Sequence, residues 1–92
     1  MIKGDEMELK IILGKNIKYH RYKKKLTQEK LAELLNISPN YIGRLERGKH
    51  NPSLEKIEEI AATLDIKPFE LFLEHEDLKK LSNRVNLKQN VT

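Results

Sequence analysis

The first residues that suggest a chemistry are Asn40 and Arg44, four positions apart in the segment SPNYIGRLERG. Residues four apart are neighbours on one face of an α-helix. An asparagine amide can bond in a pair to the edge of adenine, and an arginine guanidinium can do the same to guanine. If this segment is a helix, the two side chains share a face that could bond to base edges.

The same segment offers further candidates beside this pair. Tyr41 can touch a thymine methyl group or a phosphate, or it can pack against the protein instead. Gly43 costs about 1 kcal/mol relative to alanine inside a helix. Either the backbone approaches a base pair closely at this position, or the glycine is simply tolerated at the surface. The candidate base contacts are Pro39, Asn40, Tyr41, Gly43 and Arg44.

Positive charges surround these candidates and suggest contacts with phosphate. Residues 10–52 carry eleven Lys and Arg against three acids, a charge of +8, and residues 53–78 carry two Lys against eight acids, a charge of −6. The overall charge of +4 hides this separation. A solvated basic face is the alternative explanation. The candidate phosphate contacts here are Lys24, Lys25, Lys30, Ser38, Arg47, Lys49 and Asn51, and some of the lysines are expected to serve solubility only.

Other kinds of site are not supported by the residue types or their spacing. Glu58 and Glu59 are helix neighbours whose side chains diverge by about 100°, which suits a solvated face better than acid–base catalysis. The three histidines are 30 and 25 residues apart, no cysteine is present, and no phosphate-cradling glycine pattern occurs. We therefore expect no enzyme activity, no metal site and no cofactor.

Length and composition restrict the architecture to one small helical domain. The chain has 92 residues, of which 38% are hydrophobic, enough for one compact core. No segment alternates as a strand would, so an all-α fold is expected. The longest aliphatic run is only Ile11–Leu13, and no secretory signal opens the chain. We expect a cytoplasmic protein without a membrane span.

Five helices are predicted to position the candidate residues. Leu9, Leu13 and Ile17 recur every four residues and predict a first helix over about residues 9–24, with His20 continuing the stripe. The later predicted core positions are Leu31, Ala32, Leu35, Ile42, Leu45, Leu54, Ile57, Ile60, Ala61 and Leu64.

Capping residues predict where the later helices begin and end. Thr27, Ser38 and Ser53 are typical N-caps, and Pro39 suits the first helical position. Asn36 and Gly48 suit the left-handed backbone that ends a helix.

The C-terminal quarter has a weaker pattern. Pro68 opens a short fifth helix that bears Phe69, Leu71 and Phe72, and Leu78, Leu81 and Val85 can continue a helix beyond Glu76. We divide the chain into an N-terminal extension (1–8), a domain (9–76) and a C-terminal extension (77–92) that is partly helical or disordered.

The second and third predicted helices are joined by the turn Asn36–Ser38, which is too short for an antiparallel hairpin. Small Ala32 lets the helices approach, while Ile37, Ile42 and Leu45 fill the angle between them. This predicts a helix-turn-helix, whose second helix enters a DNA major groove. A plain helical hairpin inside a bundle would give the same spacing and remains the alternative.

These residues also resemble a known family. The segments TQEKLA (27–32), IS (37–38), LERG (45–48) and NPSL (51–54), with Ile42, resemble the phage-repressor/Cro (XRE-type) helix-turn-helix proteins. The likeness extends to Gly14, Ile17 and Arg21 on one side, and to Leu64, Ile66 and the segment ELF (70–72) on the other. It covers about sixty residues without gaps.

The resemblance implies a compact, lambda-repressor-like bundle of five helices that binds operator DNA as a twofold dimer. It implies that Gln28 grips a phosphate at the start of the second helix. It also implies a salt bridge between Arg21 and Glu46, with Arg21 facing phosphate as well.

Three residues depart from the family pattern. Asn36 and Lys25 stand where the family usually or often has glycine, and His20 stands where it often has leucine. Because asparagine accepts a left-handed backbone, we expect the turn to survive. None of the three departures argues against DNA binding.

The resulting functional hypothesis is a sequence-specific transcriptional regulator, either a repressor or a repressor that also activates. A homodimer would place two recognition helices in successive major grooves of a palindromic operator, about 34 Å apart. Phe69, Phe72 and Leu78 are the candidate dimer contacts, with burial in the core as the alternative for the phenylalanines. The acidic segment 53–78 is the expected docking surface for any protein partner.

Alternatives within and outside this function stay open at the level of sequence. A restriction–modification controller, a phage repressor and an antitoxin of the same fold are all compatible with the residues. A protein-interaction module that reads no bases is the contrasting hypothesis, against which Arg44, Arg47 and the lysines argue.

Overall fold

A computed structural model describes residues 8–74 and shows an all-helical chain over that range. Its elements are α1 (Leu9–Lys23), α2 (Gln28–Leu35), α3 (Pro39–Glu46), α4 (Leu54–Thr63) and a 3-10 helix (Pro68–Phe72). None of the helices in this part of the chain is long and apolar enough to cross a membrane.

The prediction of five α-helices is wrong, because residues 8–74 form four α-helices and the fifth element is a short 3-10 helix. The bond from Glu70 N to Lys67 O, 2.9 Å long, spans only three residues, as in a 3-10 turn. The Glu70 carboxylate accepts in return from the backbone N–H of Lys67 at 3.0 Å. Leu73 is extended, so the helix stops after five residues.

The helix starts follow the predicted caps. The hydroxyls of Thr27, Ser38 and Ser53 accept from the backbone N–H three residues ahead at 3.0, 3.2 and 3.1 Å. Each bond satisfies one of the donors that the first turn of a helix leaves without a partner. These three predicted N-caps are confirmed.

All four α-helices end in the same way, with a left-handed residue followed by a bond that spans five residues. The left-handed residues are Lys25, Asn36, Gly48 and Asp65, with φ of 60°, 58°, 72° and 60°. The next N–H in each case donates to the carbonyl five residues back, at 2.9–3.0 Å. This is the Schellman arrangement. It confirms the helix ends predicted at Asn36 and Gly48. The same arrangement also occurs at Lys25 and Asp65.

The core lies where the four helices meet and contains most of the predicted positions, from Leu13 and Ile17 of α1 through Leu64. Leu71 joins it from the 3-10 helix. Two predictions are wrong, because Leu9 is 61% exposed and Leu54 is 79% exposed. Both are the first residue of their helix, where no neighbouring element covers the side chain.

Two buried residues of α1, the small Gly14 and the polar Asn16, determine how this helix packs. A Cβ atom at Gly14 would lie 2.8 Å from the carbonyl oxygen of Glu46 and closer still to that of Leu45, so the crossing of α1 and α3 requires glycine. The Asn16 amide nitrogen lies within hydrogen-bond distance of the carbonyls of Ile12, Leu71 and Leu73, at 3.0, 3.0 and 2.7 Å. These bonds attach the 3-10 helix to α1.

Several sequence predictions fall outside the described residues. They are the extension 1–8 apart from Glu8, the extension 77–92, the helical continuation through Leu78, Leu81 and Val85, and Leu78 as a dimer contact.

Candidate nucleic-acid interface

The two helices predicted to form the interface, α2 and α3, each have eight residues and are joined by a tight turn. Asn36 takes the left-handed conformation in that turn, and the N–H of Ile37 donates to Ala32 O at 3.0 Å. Ala32 is 1% exposed, and Ile42 and Leu45 are buried beside it. The described residues therefore contain the packed helix-turn-helix arrangement, rather than a plain antiparallel hairpin.

The exposed face of α3 carries part of the predicted set. Pro39, Asn40 and Arg44 are exposed, as is Arg47 at the C-cap. Asn40, Arg44 and Arg47 follow one another at four- and three-residue spacing, so they share one face. Their amide and guanidinium groups are available for paired hydrogen bonds.

Two other predicted base contacts do not lie on this exposed face. Tyr41 is half-buried, and its ring meets the His50 ring edge-on with centroids 4.7 Å apart. The alternative that Tyr41 packs against the protein therefore describes its position in the free protein. Gly43 is buried, and a Cβ atom built on it would lie 3.1 Å from Nη1 of Arg47. The backbone of Gly43 is covered by that side chain in the free protein, so Gly43 is not an open surface glycine, and its approach to a base pair stays a prediction.

A buried ion pair connects α1 with α3. Arg21 Nε and Nη2 donate to the two carboxylate oxygens of Glu46 at 2.6 and 3.1 Å, and Nη1 donates to Leu26 O at 2.8 Å. The two side chains are only 7% and 4% exposed. The hydrogen bonds that Arg21 donates to Glu46 raise the pKa of Arg21, so the guanidinium stays charged. The salt bridge is present, and the burial argues against a phosphate contact by Arg21.

Gln28 belongs to the same network. Its Nε2 donates to Glu46 Oε1 at 2.9 Å, so the amide is turned into the protein instead of towards an outside anion. The side chain therefore positions Glu46. The free backbone N–H groups at the start of α2 remain able to bind an anion, because a helix N-terminus leaves them without partners.

The predicted phosphate contacts differ in whether their side chains already form ion pairs or hydrogen bonds within the protein. Lys25, Lys49 and Asn51 are exposed beside the helix-turn-helix, and the Ser38 hydroxyl accepts from Tyr41 N while its own proton remains free to donate. Lys30 pairs with Glu33 at 3.4 Å. Lys24 is 2.6 Å from Asp65, which draws it towards the acidic part of the chain. Such exposed pairs are weak and yield to a stronger anion.

The outer face of α1 carries a basic and aromatic patch that the sequence argument missed. Lys15, Lys18, Tyr19 and Tyr22 line a shallow groove there. The guanidinium of Arg21 lies 4.7 Å from the centre of the Tyr22 ring, so the patch adjoins the buried ion pair. The three- and four-residue spacing of these residues along α1 is the sequence pattern that could have indicated the patch.

His20 is the one residue whose polarity conflicts with its surroundings among the described side chains. It is 8% exposed, and its Nε2 is buried without a hydrogen-bond partner. Burial lowers the pKa of His20, the charge of Glu70 opposes this, and Lys23 adds to the lowering. The neutral ring is therefore the favoured form in the folded protein.

The acidic part of the chain lies on another element. Glu55, Glu58 and Glu59 are exposed on α4, as expected for a solvated face. Phe69 is 59% exposed, so core burial does not explain it, whereas Phe72 is half-buried against the core. The helix-turn-helix therefore lies within the basic stretch 10–52, while the exposed carboxylates of α4 and the exposed Phe69 ring lie on other elements.

Comparison with known proteins shows a match to one family and similarity to two solved structures. A sequence model of the family described as helix-turn-helix matches residues 17–71. The crystal structure of hypothetical transcription factor NHTF from Neisseria is 31% identical, with a TM-score of 0.77 over 88% of this chain and 93% of that one. The restriction-modification controller protein C.AhdI from Aeromonas hydrophila is 41% identical, with a TM-score of 0.65 over 68% of this chain and 96% of that one.

A phage protein is also similar in sequence. The immunity repressor protein of Bacillus phage phi105 is 36% identical over 84% of this chain. The chain spans only 54% of the length of that repressor.

Proposed function

The chain belongs to the helix-turn-helix family, and from this premise we propose that it is a transcriptional regulator that binds a specific DNA sequence. The family predicted from the motifs is confirmed by the match over residues 17–71. Relatives named as a transcription factor, a phage immunity repressor and a restriction-modification controller support this function.

The observation that carries the proposal is the face of α3. Asn40 and Arg44 are exposed one turn apart on the second helix of the motif, and the buried Arg21–Glu46 pair fixes that helix against α1. Each paired hydrogen bond to the correct base is worth roughly 1–3 kcal/mol of discrimination. Asn40 and Arg44 read base edges, with Pro39 beside them at the start of α3.

Phosphate contacts surround this reading face. The exposed Ser38, Lys25, Lys49 and Asn51 hold the DNA backbone, joined by the N-terminal N–H groups of α2. Lys30 and Lys24 add charge once they leave their surface acids. These contacts set the position of the protein on the duplex, while the base contacts set its sequence preference.

Selection of bound sequences from a random DNA pool tests the proposal directly. The expected result is one preferred site with twofold symmetry, whose preference at one base pair is lost in Arg44→Ala. Uniform weakening on all DNA by Arg44→Ala would remove Arg44 from base readout. Absence of DNA binding at low salt would overturn the regulator function and leave a protein-interaction module.

We also propose that the protein acts as a homodimer through the 3-10 helix. Phe69 is a large apolar residue that is 59% exposed, and it lies outside the two helices of the DNA-binding motif. On a twofold operator, a pair that contacts there has to hold its two α3 helices at half-sites about 34 Å apart. The acidic surface of α4 faces away from the phosphates or towards a partner.

Sedimentation equilibrium at micromolar concentration measures the association. We expect the mass of two chains for the wild type and of one chain for Phe69→Asp, with unchanged helical circular dichroism. Leu54→Asp is the matched control, since Leu54 is 79% exposed on α4 and is expected to leave the dimer intact. A Phe69→Asp protein that stays dimeric would move the interface elsewhere.

A further inference from the structure

Gly43 is buried, although it immediately precedes the exposed Arg44 in α3. A Cβ atom at this position would lie 3.1 Å from Nη1 of Arg47 and 3.9 Å from Oε1 of Gln28. The guanidinium of Arg47, four residues further along the chain, therefore lies over Gly43, in a notch that exists because residue 43 has no side chain.

The other wall of the notch is fixed by hydrogen bonds. Gln28 Nε2 donates to Glu46 Oε1 at 2.9 Å, which leaves Gln28 Oε1 on the side of Gly43. Glu46 is itself held by Arg21 through two hydrogen bonds. The notch is therefore built on the buried ion pair.

The notch changes what Arg47 can reach. Arg47 is the C-cap of α3, and the sequence places it among the candidate phosphate contacts. Residue 43 is four positions earlier, about 6 Å closer to the N-terminal end of the helix at 1.5 Å per residue. The N-terminal part of a recognition helix contacts bases, so a guanidinium over Gly43 is displaced from the C-cap towards that part of the helix.

We propose that Gly43 is a positioning residue, and that Arg47, seated over it, is a specificity-determining residue that reads a guanine in the operator together with Arg44. This rests on the proposed function, since it concerns how the same surface recognises DNA. Gly43 itself makes no base contact, and Arg47 does more than neutralise a phosphate.

The test compares pool selections with the wild type, Arg47→Lys, Gly43→Ala and the double variant. Lysine keeps the charge but lacks the planar fork of arginine. We expect Arg47→Lys to reduce the guanine preference at one base pair about tenfold while leaving the salt dependence of binding unchanged. Gly43→Ala displaces the guanidinium, so it should reduce the preference about tenfold at that same base pair.

The double variant should lose no more than either single variant, because both changes remove one interaction. Gly43→Ala is expected to fold, since alanine favours the helix and its methyl group meets only the end of a flexible side chain. Thermal unfolding verifies this. Lys49→Ala is the matched control, which should weaken binding to all sequences alike.

Three results would overturn the inference in distinguishable ways. If Arg47→Lys keeps the full preference, Arg47 is a phosphate contact. If Gly43→Ala alters a base pair that Arg47→Lys leaves unchanged, the backbone of Gly43 itself approaches the DNA. If the wild type selects no sequence, the proposed function fails, and the inference fails with it.

Discussion

Glu46 accepts hydrogen bonds from Arg21 and Gln28 at the point where α1, α2 and α3 meet. A carboxylate and a guanidinium that are both taken out of water stabilise the protein only as a pair, because removing one leaves the other charged and buried. At the scale of residues, this pair ties α3 to α1.

We predict that Glu46→Ala lowers the free energy of unfolding by about 3–5 kcal/mol, because the Arg21 charge then lacks its partner. Urea denaturation followed by circular dichroism measures the change. Glu33→Ala is the control, since it removes only the exposed Lys30–Glu33 pair and should cost no more than about 0.5 kcal/mol. A Glu46→Ala protein as stable as the control would show that the pair carries no such role.

His20 predicts a dependence of stability on pH. Because burial lowers its pKa in the folded state, the unfolded chain takes up a proton first as the pH falls through about 6.5. The free energy of unfolding should therefore decrease from pH 7.5 to pH 5.5, by at most about 1.4 kcal/mol per pH unit from this group. Urea denaturation across that range should show a flatter profile for His20→Leu, and an identical profile would exclude His20 as the source.

At the scale of elements, the glycines of two helices differ in what an added side chain would contact. In α1, Gly14 faces the backbone carbonyls of α3, which cannot move aside. In α3, Gly43 faces the flexible end of Arg47. A methyl group therefore meets a fixed wall at one position and a movable one at the other.

We predict that Gly14→Ala lowers the free energy of unfolding by about 1–3 kcal/mol or more, because α1 and α3 must separate. This range is the usual cost of overpacking. Gly43→Ala should instead be neutral or stabilising by up to about 1 kcal/mol, from helix propensity. Thermal unfolding of the two variants side by side measures the contrast. Equal destabilisation of both would mean that the close crossing at Gly14 is not what sets the packing.

The helix ends show how one local motif recurs with different residues. Lys25, Asn36 and Asp65 adopt the same left-handed backbone as Gly48. The following residues Leu26, Ile37 and Ile66 pack against the core, so tertiary contacts compensate for the unfavourable conformation of a residue with a side chain.

At the scale of the whole molecule, charge is divided between elements. The basic stretch that contains the helix-turn-helix has a charge of +8, and the segment after it has −6. This division predicts which lysines release counterions from DNA. Lys49 is exposed just after α3, whereas Lys56 lies on α4, paired with Glu59 at 2.8 Å.

We predict that Lys49→Ala reduces the slope of log affinity against log salt by about 1, since each phosphate contact releases roughly one counterion. Lys56→Ala should leave the slope unchanged. Fluorescence anisotropy of a labelled duplex at several salt concentrations provides the slopes. An equal change in both variants would mean that the two charge regions do not separate the DNA-facing side from the rest.

Local signals sufficed for much of the fold and for part of the site. The caps at Thr27, Ser38 and Ser53 and the turn at Asn36 depend on hydrogen bonds between near neighbours, which residue types along the chain determine. Periodicity likewise placed Ile17, Ile42 and Ile60 in the core. The exposure of Asn40 and Arg44 followed from the same helical spacing.

Only the tertiary structure decided whether certain side chains of the helices point into the protein or towards solvent. Arg21 and Gln28 are polar residues for which the family resemblance implies phosphate contacts, and their inward bonds to Glu46 depend on three helices meeting. From the sequence, Gly43 suits either close approach to a base pair or a tolerated surface position, and only the tertiary structure places the Arg47 side chain over it. Burial and partner choice depend on residues distant in the chain, whereas caps and periodicity depend on near neighbours. The sequence thus determined the helices and the face they present, and packing determined which residues on that face are free to bind.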